Sequence, residues 1–144
     1  MRAADFLALV RRRIETQLGL ATGCSAIDES LWVRVDSYSM SQALTSVARR
    51  IRAELAGSNV TLDATPGEHH ARIDVAWAGV RPAAASMTAW ESESLHGGAE
   101  TSPVTLRDVL ERHRAEAWLE DDPQRTGGRF RLLLFSLVLF IVGT

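Results

Sequence analysis

Apolar side chains recur at helical spacing in two long segments of the chain. Over residues 4–18 they fall four apart, which predicts an amphipathic helix that Gly19 ends. Over residues 37–55 they again share one face, and Asp36 or Ser37 is placed to cap the first turn. The apolar residues that define these two faces are Phe6, Val10, Ile14 and Leu18 in the first helix and Met40, Ala43, Leu44, Val47, Ala48, Ile51 and Leu55 in the second.

A third helix is predicted in the second half of the chain. Residues 102–113 offer Ser102 as a cap and Pro103 in the first turn, followed by an apolar stripe. Before it, residues 83–90 predict a short helix, and residues 91–103, rich in Ser, Gly, Glu and Thr, predict a flexible loop. The buried stripe of the third helix is predicted to consist of Leu106, Val109 and Leu110.

Alternation of apolar and polar residues predicts strands at 31–36, 59–65, 70–77, 115–120 and 127–135. The second and third of these should form an antiparallel hairpin across a Pro-Gly-Glu turn. The order of elements favours the α/β (α+β) class, in which helices cover one face of a mixed, mostly antiparallel sheet in two layers. The core face of the hairpin is predicted to hold Val60, Leu62, Ala64, Ala71, Ile73, Val75 and Trp77.

Composition narrows the class of protein without identifying it. A length of 144 residues fits one domain with a real core. The net charge of −2 comes from 16 basic residues, all of them arginine, against 18 acidic ones, so direct nucleic-acid binding is not favoured. Cys24 is the only cysteine, which excludes a disulfide framework and a cysteine-based metal site and suits a reducing cytoplasm.

The C-terminal segment LLLFSLVLFIV, residues 132–142, leaves two interpretations open. It is apolar but shorter than the ~20 residues that a membrane-spanning helix needs. One interpretation is a buried last strand followed by an irregular tail. The other is a membrane segment that the chain end interrupts.

The elements and several local phrases resemble the ATP-binding domain of bacterial histidine kinases, a Bergerat-type α/β sandwich, over about residues 28–134. The segment VDSYSMSQALTSVARRI is similar to the helix that carries the family's asparagine box, Q-x-L-x-N-L-x-x-N-A. The two asparagines fall on Ser46 and Arg50. The second is the family's usual Mg²⁺ ligand, a role that needs an uncharged oxygen donor and that a guanidinium cannot fill. The residues that match are Asp36, Met40, Gln42 and Leu44.

The segment IDVAWAGV resembles the strand and turn that carry the family's D-x-G-x-G motif. In that motif the aspartate accepts a hydrogen bond from the adenine amino group, and the glycines let the backbone approach the ligand. Here Trp77 stands at the aspartate position, and only Gly79 is retained. An indole has a donor but no acceptor, and its bulk would fill the space of an adenine ring. We interpret Trp77 as a plug.

The segment SPVTLRDVLERHRAEAWLED resembles the family's glycine-rich phosphate loop and the helix after it, with Leu106, Val109, His113 and Trp118 matching. The loop glycines are replaced by residues 102–104. Such loops hold phosphates with backbone N–H groups, and proline has none. The resemblance therefore implies that ATP and Mg²⁺ binding are lost, with no catalytic residue and no metal site. What remains is a degenerate nucleotide pocket at Ser46, Arg50, Trp77 and Gly79.

Three phrases, LWVRVDSYSM, SPVTLRDVLERH and RFRLLL, look more closely like a degenerate kinase-type module of long bacterial proteins. Those proteins also carry a 3′-5′ exonuclease domain similar to the proofreading epsilon subunit of DNA polymerase III. The D-x-E signature that holds two metal ions is absent from this sequence, so any exonuclease activity is expected of another domain.

The expected organisation is an N-terminal helix and linker over 1–27, the kinase-like domain over 28–135 and an apolar tail over 136–144. The main hypothesis is a catalytically silent, regulatory or scaffolding domain of a larger bacterial protein. One alternative is a divergent ATP-binding sensor that uses Ser46, Arg50 and Gly79, and another is a membrane-proximal interaction domain. The expected partners are other domains of the same polypeptide or a second copy, in the cytoplasm, with membrane association through the tail as the alternative.

Overall fold

A computed structural model of the chain describes residues 1–55, 59–83, 85–97, 100–121 and 127–136. The helices are α1 (Ala3–Leu18), α2 (Ser37–Glu54), α3 (Ser86–Ser92) and α4 (Leu106–Arg112). The strands are β1 (Ala21–Ile27), β2 (Asn59–Pro66), β3 (His70–Ala78), β4 (Ser94–Gly97), β5 (Glu100–Thr105), β6 (Glu116–Asp121) and β7 (Gly127–Phe135).

Five strands form the main sheet in the order β1-β2-β3-β7-β6. β1 and β2 run parallel, and every other neighbouring pair is antiparallel. β4 and β5 form a separate two-stranded ribbon. The two-layer sandwich with a mixed, mostly antiparallel sheet that the sequence predicts is therefore confirmed.

The β2–β3 hairpin has the register that the alternating pattern predicts. Leu62 pairs with Val75 and Ala64 with Ile73, and all four side chains are fully buried. Residues on one face of a strand recur with period two, so these positions share the side of the sheet that the helices cover. Trp77 continues the same face and is 1% exposed.

Both long helices form where they were predicted. α1 ends at Gly19, which adopts a left-handed conformation with φ 62° and donates its backbone N–H to the carbonyl of Glu15. α2 begins after Asp36, whose Oδ1 accepts hydrogen bonds from the backbone N–H groups of Tyr38 at 3.2 Å and Ser39 at 3.3 Å. This side chain satisfies two of the N–H groups that the first turn of a helix leaves without partners.

The N-terminal half departs from the prediction in two places. β1 lies at 21–27, a segment of small and polar residues that was assigned to a linker. The predicted strand at 31–36 is reduced to two isolated bridges, one between Trp32 and Arg2 and one between Val33 and Ser136. β1 exists because β2 offers it a parallel partner, and such long-range pairing leaves no alternating pattern in the sequence.

In the second half, the short helix starts at Ser86 rather than 83, and the predicted loop at 91–103 contains β4 and most of β5. α4 starts at Leu106, and its cap is Thr105 rather than Ser102. Thr105 and Asp108 form a reciprocal capping box, in which each side chain accepts a hydrogen bond from the other's backbone N–H. This box outweighs the weaker signal of a serine before a proline.

Residues 1–27, expected as a helix and linker, contribute to the same core as the rest of the chain. Phe6, Leu7, Val10 and Ile14 of α1 are fully buried in it. The apolar tail lies outside the described residues after Ser136. Among the helices of the described residues, none combines the length and the apolar character that crossing a membrane requires.

Candidate functional site

The predicted site lies where the C-terminal half of α2 meets the end of β3. Ser46 and Arg50 are one helical turn apart on α2, Trp77 is the penultimate residue of β3, and Gly79 follows the strand. The backbone N–H of Val80 donates to the carbonyl of Leu55 at 3.4 Å, which ties the turn after β3 to the end of α2.

Trp77 fills the space between the sheet and the helices at this position. It is one of the largest fully buried side chains among the described residues. Its Nε1–H donates to the carbonyl of Val80 at 2.9 Å, so the one polar group of the indole is satisfied within the protein. The indole has no acceptor, and its donor is already used within the protein.

Gly79 has a φ of 134°, a conformation that side chains rarely adopt. Its role in the turn is therefore explained by the backbone alone. The glycine is required for the chain to leave β3 towards the end of α2, whether or not a ligand approaches it.

Arg50 belongs to an ion cluster that joins α2 to the segment after α3. Its guanidinium pairs with Glu54 at 3.4 Å, one turn further along α2, and is in direct contact with Glu93. Glu54 also accepts a hydrogen bond of 2.8 Å from the Nε1–H of Trp90, which is 3% exposed. The cluster therefore sets one cation against two carboxylates.

Sequence reasoning found Arg50 but missed its partners. The spacing of Arg50 and Glu54 by four residues is a recognisable ion-pair signal on a helix. Glu93 and Trp90 could not be assigned in this way, because they come from a segment that was predicted as a loop and from the helix before it. Only the packing of α3 against the domain brings them to α2.

The other positions that the sequence predicts for the site are Ser46 and residues 102–104. Ser46 is half-buried, and its side chain makes no hydrogen bond within the described part of the chain. Residues 102–104 belong to β5 and precede α4, so they do not form a loop at the helix N-terminus. Val104 is half-buried and packs against the core.

No cluster of three or more His, Cys, Asp or Glu side chains suited to a metal ion occurs within the described ranges. Four surface clefts lie elsewhere, and none of these four is lined by Ser46, Arg50, Trp77 or Gly79. In the described residues, Trp77 is buried at this position and Arg50 is paired with Glu54 and Glu93.

Comparison with solved structures defines the class of fold. The ATP-binding domain of PrrB from Mycobacterium tuberculosis superposes with a TM-score of 0.72 at 14% identity, over 95% of this chain and 96% of that one. The mycobacterial sensor histidine kinase MprB gives 0.68 at 12% identity, over 94% and 97%. The histidine kinase domain of the E. coli osmosensor EnvZ gives 0.60 at 12% identity, over 93% and 84%.

The fold is therefore that of the ATP-binding domains of histidine kinases, the Bergerat-type sandwich that the sequence resemblance implies. Because 95% of the chain superposes on the first of these structures, the likeness extends beyond the segment 28–134 in which the sequence resemblance was found. A scan against models of protein families and a search of curated proteins both found no match.

Proposed function

We propose that this chain is a catalytically silent histidine-kinase-like ATPase domain that acts as a regulatory or scaffolding module of a larger bacterial protein. The observation that carries the proposal is the buried Trp77, which stands at the position of the adenine-binding aspartate. Its indole is packed on all sides and its N–H is bonded to Val80. A nucleotide base could enter only if this side chain left the core.

The ion cluster around Arg50 supports the proposal independently. In ATP-hydrolysing and phosphoryl-transfer sites, a divalent cation held by oxygen ligands helps to neutralise the phosphates of the nucleotide. Here Arg50 occupies the ligand position, and its charge is balanced by Glu54 and Glu93. Two elements of the family's site, on α2 and on β3, are thus replaced by internal contacts.

The first helix of the given sequence offers no histidine as a phosphoacceptor. The autophosphorylated histidine of a kinase lies in a separate dimerisation helix, and α1 contains no histidine. We therefore place its function in contacts with other domains of the same polypeptide or with a second copy. An association with an exonuclease domain rests on the three phrases that resemble the exonuclease-linked module.

A site-specific titration tests this proposal. The indole N–H resonance of Trp77 reports on the end of β3, and that of Trp90 reports on the ion cluster around Arg50. Each resonance can be assigned by a single substitution of the tryptophan to Phe. We expect neither resonance to shift when ATP and Mg²⁺ are added to millimolar concentration. A saturable shift of the Trp77 resonance would overturn the proposal. The resonance of Trp118, on β6, serves as an internal control.

A divergent ATP-binding sensor is the second candidate, and one observation favours it. Gly79 has no side chain, so a ligand could approach the backbone of the turn closely. In this candidate Ser46, Arg50 and Gly79 contact the nucleotide, and Trp77 swings out of the core. It predicts the saturable shift just described, together with loss of the Arg50–Glu93 contact.

A further inference from the structure

One cleft of the described structure lies away from Trp77. It has a volume of about 1000 Å³ and is formed by the segment before α2, the end of α4 and the end of β7. Its lining consists of Arg34, Val35, Asp36, Arg112, His113, Arg114 and Phe135. Sequence analysis assigned no role to the arginines among these residues.

Among the described residues, the lining of the cleft carries more positive than negative charge. Arg34, Arg112 and Arg114 are exposed, and none forms an ion pair with a residue in the described ranges. Arg112 has only an electrostatic interaction with Asp108, one turn back on α4. The single carboxylate in the lining, Asp36, already accepts the N–H groups at the start of α2.

Three sides of the cleft are held together by hydrogen bonds. The Nε2 of His113 accepts the backbone N–H of Asp36 at 2.9 Å, and its Nδ1 lies 2.8 Å from the carbonyl of Val109. The ring of His113 thereby links the end of α4 to the start of α2. The backbone N–H of Arg34 donates to the carbonyl of Phe135 at 3.0 Å. The backbone segments that carry the three arginines are therefore joined to one another by hydrogen bonds.

Arg114 has a left-handed backbone conformation. Its φ of 49° makes it the one non-glycine residue with a positive φ among those described. It directly follows His113, the C-terminal cap of α4, and the conformation is that of a common helix end. The backbone N–H of Arg114 donates to the carbonyl of Glu111 at 3.1 Å, and that of Ala115 donates to the carbonyl of Leu110 at 2.9 Å. The conformation places Arg114 in the lining of the cleft.

We propose that this cleft binds a small organic phosphate, whose phosphate groups contact Arg34, Arg112 and Arg114. Guanidinium groups present fixed forks of N–H donors that match phosphate oxygens, and they remain charged at all physiological pH values. Phe135, 41% exposed, and the half-buried Val35 supply an apolar wall for the organic part of the ligand. The volume lies within the range of small-molecule sites.

Calorimetric titration with inorganic pyrophosphate and with ADP, both without divalent cations, tests the proposal. We expect saturable binding of both, and at least a roughly tenfold loss of affinity in Arg34→Gln and in Arg112→Gln. The matched control is Arg12→Gln, because Arg12 is also exposed and unpaired within the described residues but lies on α1. No binding at millimolar concentration, or an equal loss in the control, would overturn the proposal.

Arg114→Gly separates binding from folding. Glycine adopts a positive φ without strain, so the variant should melt at the same or a higher temperature while losing affinity about tenfold. Unchanged affinity would contradict the role of Arg114.

Phe135→Ala tests the apolar wall. It should weaken ADP binding and leave pyrophosphate binding unchanged, and equal effects on both ligands would contradict the organic-phosphate assignment. ADP binding that shifts the Trp77 indole resonance and survives Arg34→Gln would place the ligand at the other site. That outcome would overturn this proposal and the silent-domain proposal together, whereas absence of all binding would overturn only this one.

Discussion

Trp77 on β3 lies directly opposite Gly128 on β7, and the indole occupies space that a side chain at Gly128 would need. A Cβ atom added at Gly128 would lie 3.0 Å from Cζ2 of Trp77, 3.0 Å from Cδ of Pro82 and 2.6 Å from the carbonyl oxygen of Glu120. The bulky residue on one strand is thus accommodated by the smallest residue on its neighbour.

Gly128→Ala should therefore destabilise the domain. The Glu120 carbonyl belongs to the backbone of β6 and cannot move aside without disturbing the sheet, so we expect a loss of about 1–3 kcal/mol in the free energy of unfolding. The measurement is urea denaturation. Gly23→Ala on β1 is the control, because its Cβ would meet only Oγ1 of Thr61 at 3.9 Å. Equal losses in the two variants would contradict the crowding described here.

Trp77→Ala should leave an apolar cavity in the core. We expect the free energy of unfolding to fall by about 3–5 kcal/mol. Because an apolar cavity can accept an apolar ligand of matching shape, added indole should raise the melting temperature of the variant but not of the unmodified chain. Trp77→Leu offers a smaller cavity if the alanine variant does not fold.

Trp32→Ala provides the comparison for that experiment. Trp32 is half-buried and its ring lies 5.8 Å from the guanidinium carbon of Arg2, outside the Trp77 region. Its replacement should lower the free energy of unfolding by less than Trp77→Ala does. Added indole should not raise the melting temperature of this variant. If indole stabilises neither variant, the Trp77 side chain does not fill a discrete pocket.

Asp74 and Arg131 form a bidentate ion pair on the face of the sheet opposite the helices. The two hydrogen bonds measure 2.9 and 3.0 Å, Asp74 is 6% exposed, and the pairing raises the pKa of Arg131. Removing the cation in Arg131→Met leaves a buried carboxylate without its partner, so we expect a loss of about 3 kcal/mol. A double-mutant cycle with Asp74→Asn should show coupling between the two positions.

The Arg81–Asp121 pair is the control for this cycle. Its atoms are 3.6 Å apart, and its side chains are 75% and 54% exposed. Water screens such a pair, so its coupling should lie between about 0 and 1 kcal/mol. Coupling of equal size in the two cycles would show that burial does not strengthen the Asp74–Arg131 interaction.

Asp36 should make the stability of α2 depend on pH. The N–H of Ser39, followed by that of Tyr38, lowers the pKa of the carboxyl below its ordinary value of 3.8. The folded pKa is thus below the unfolded one, so this stabilisation is complete above the unfolded pKa and is lost as the pH falls through the folded pKa. We expect the effect below about pH 4.

Two substitutions at Asp36 separate charge from capping. Asp36→Ala should cost about 1 kcal/mol at neutral pH through loss of the cap. Asp36→Asn keeps an acceptor at every pH, so the stability advantage of the unmodified chain over this variant should shrink on acidification. Melting curves between pH 7 and pH 3 give the comparison, and a constant difference would contradict an ionised cap.

The sequence predicts most of this fold where local pattern and packing agree. The β2–β3 register follows from alternation, and α2 follows from its apolar face and Asp36. β1 was missed because ATGCSAI has no such pattern and is a strand only beside β2. The start of α4 was misplaced because Thr105, rather than Ser102, has Asp108 three residues later to complete the capping box.

The candidate site was predictable only in part. Trp77 and Arg50 stand out in the sequence because they replace residue types that nucleotide chemistry requires. Glu54 lies four residues after Arg50, and this spacing is visible in the sequence. Glu93 comes from a distant segment, so its contact with Arg50 leaves no signal in the sequence. The arginine cleft is harder still to predict from the sequence, because three separate segments contribute to it and the φ of Arg114 is a property of the folded backbone.

The position of β7 has a consequence for synthesis of this domain. It is the last of the described strands along the sequence, yet it lies in the interior of the sheet between β3 and β6. Until residues 127–135 have left the ribosome, both of those strands have an edge without a partner. An unpaired edge can pair with the same edge of another nascent chain. Slow translation of this strand should therefore favour association between neighbouring ribosome products over correct closure of the sheet.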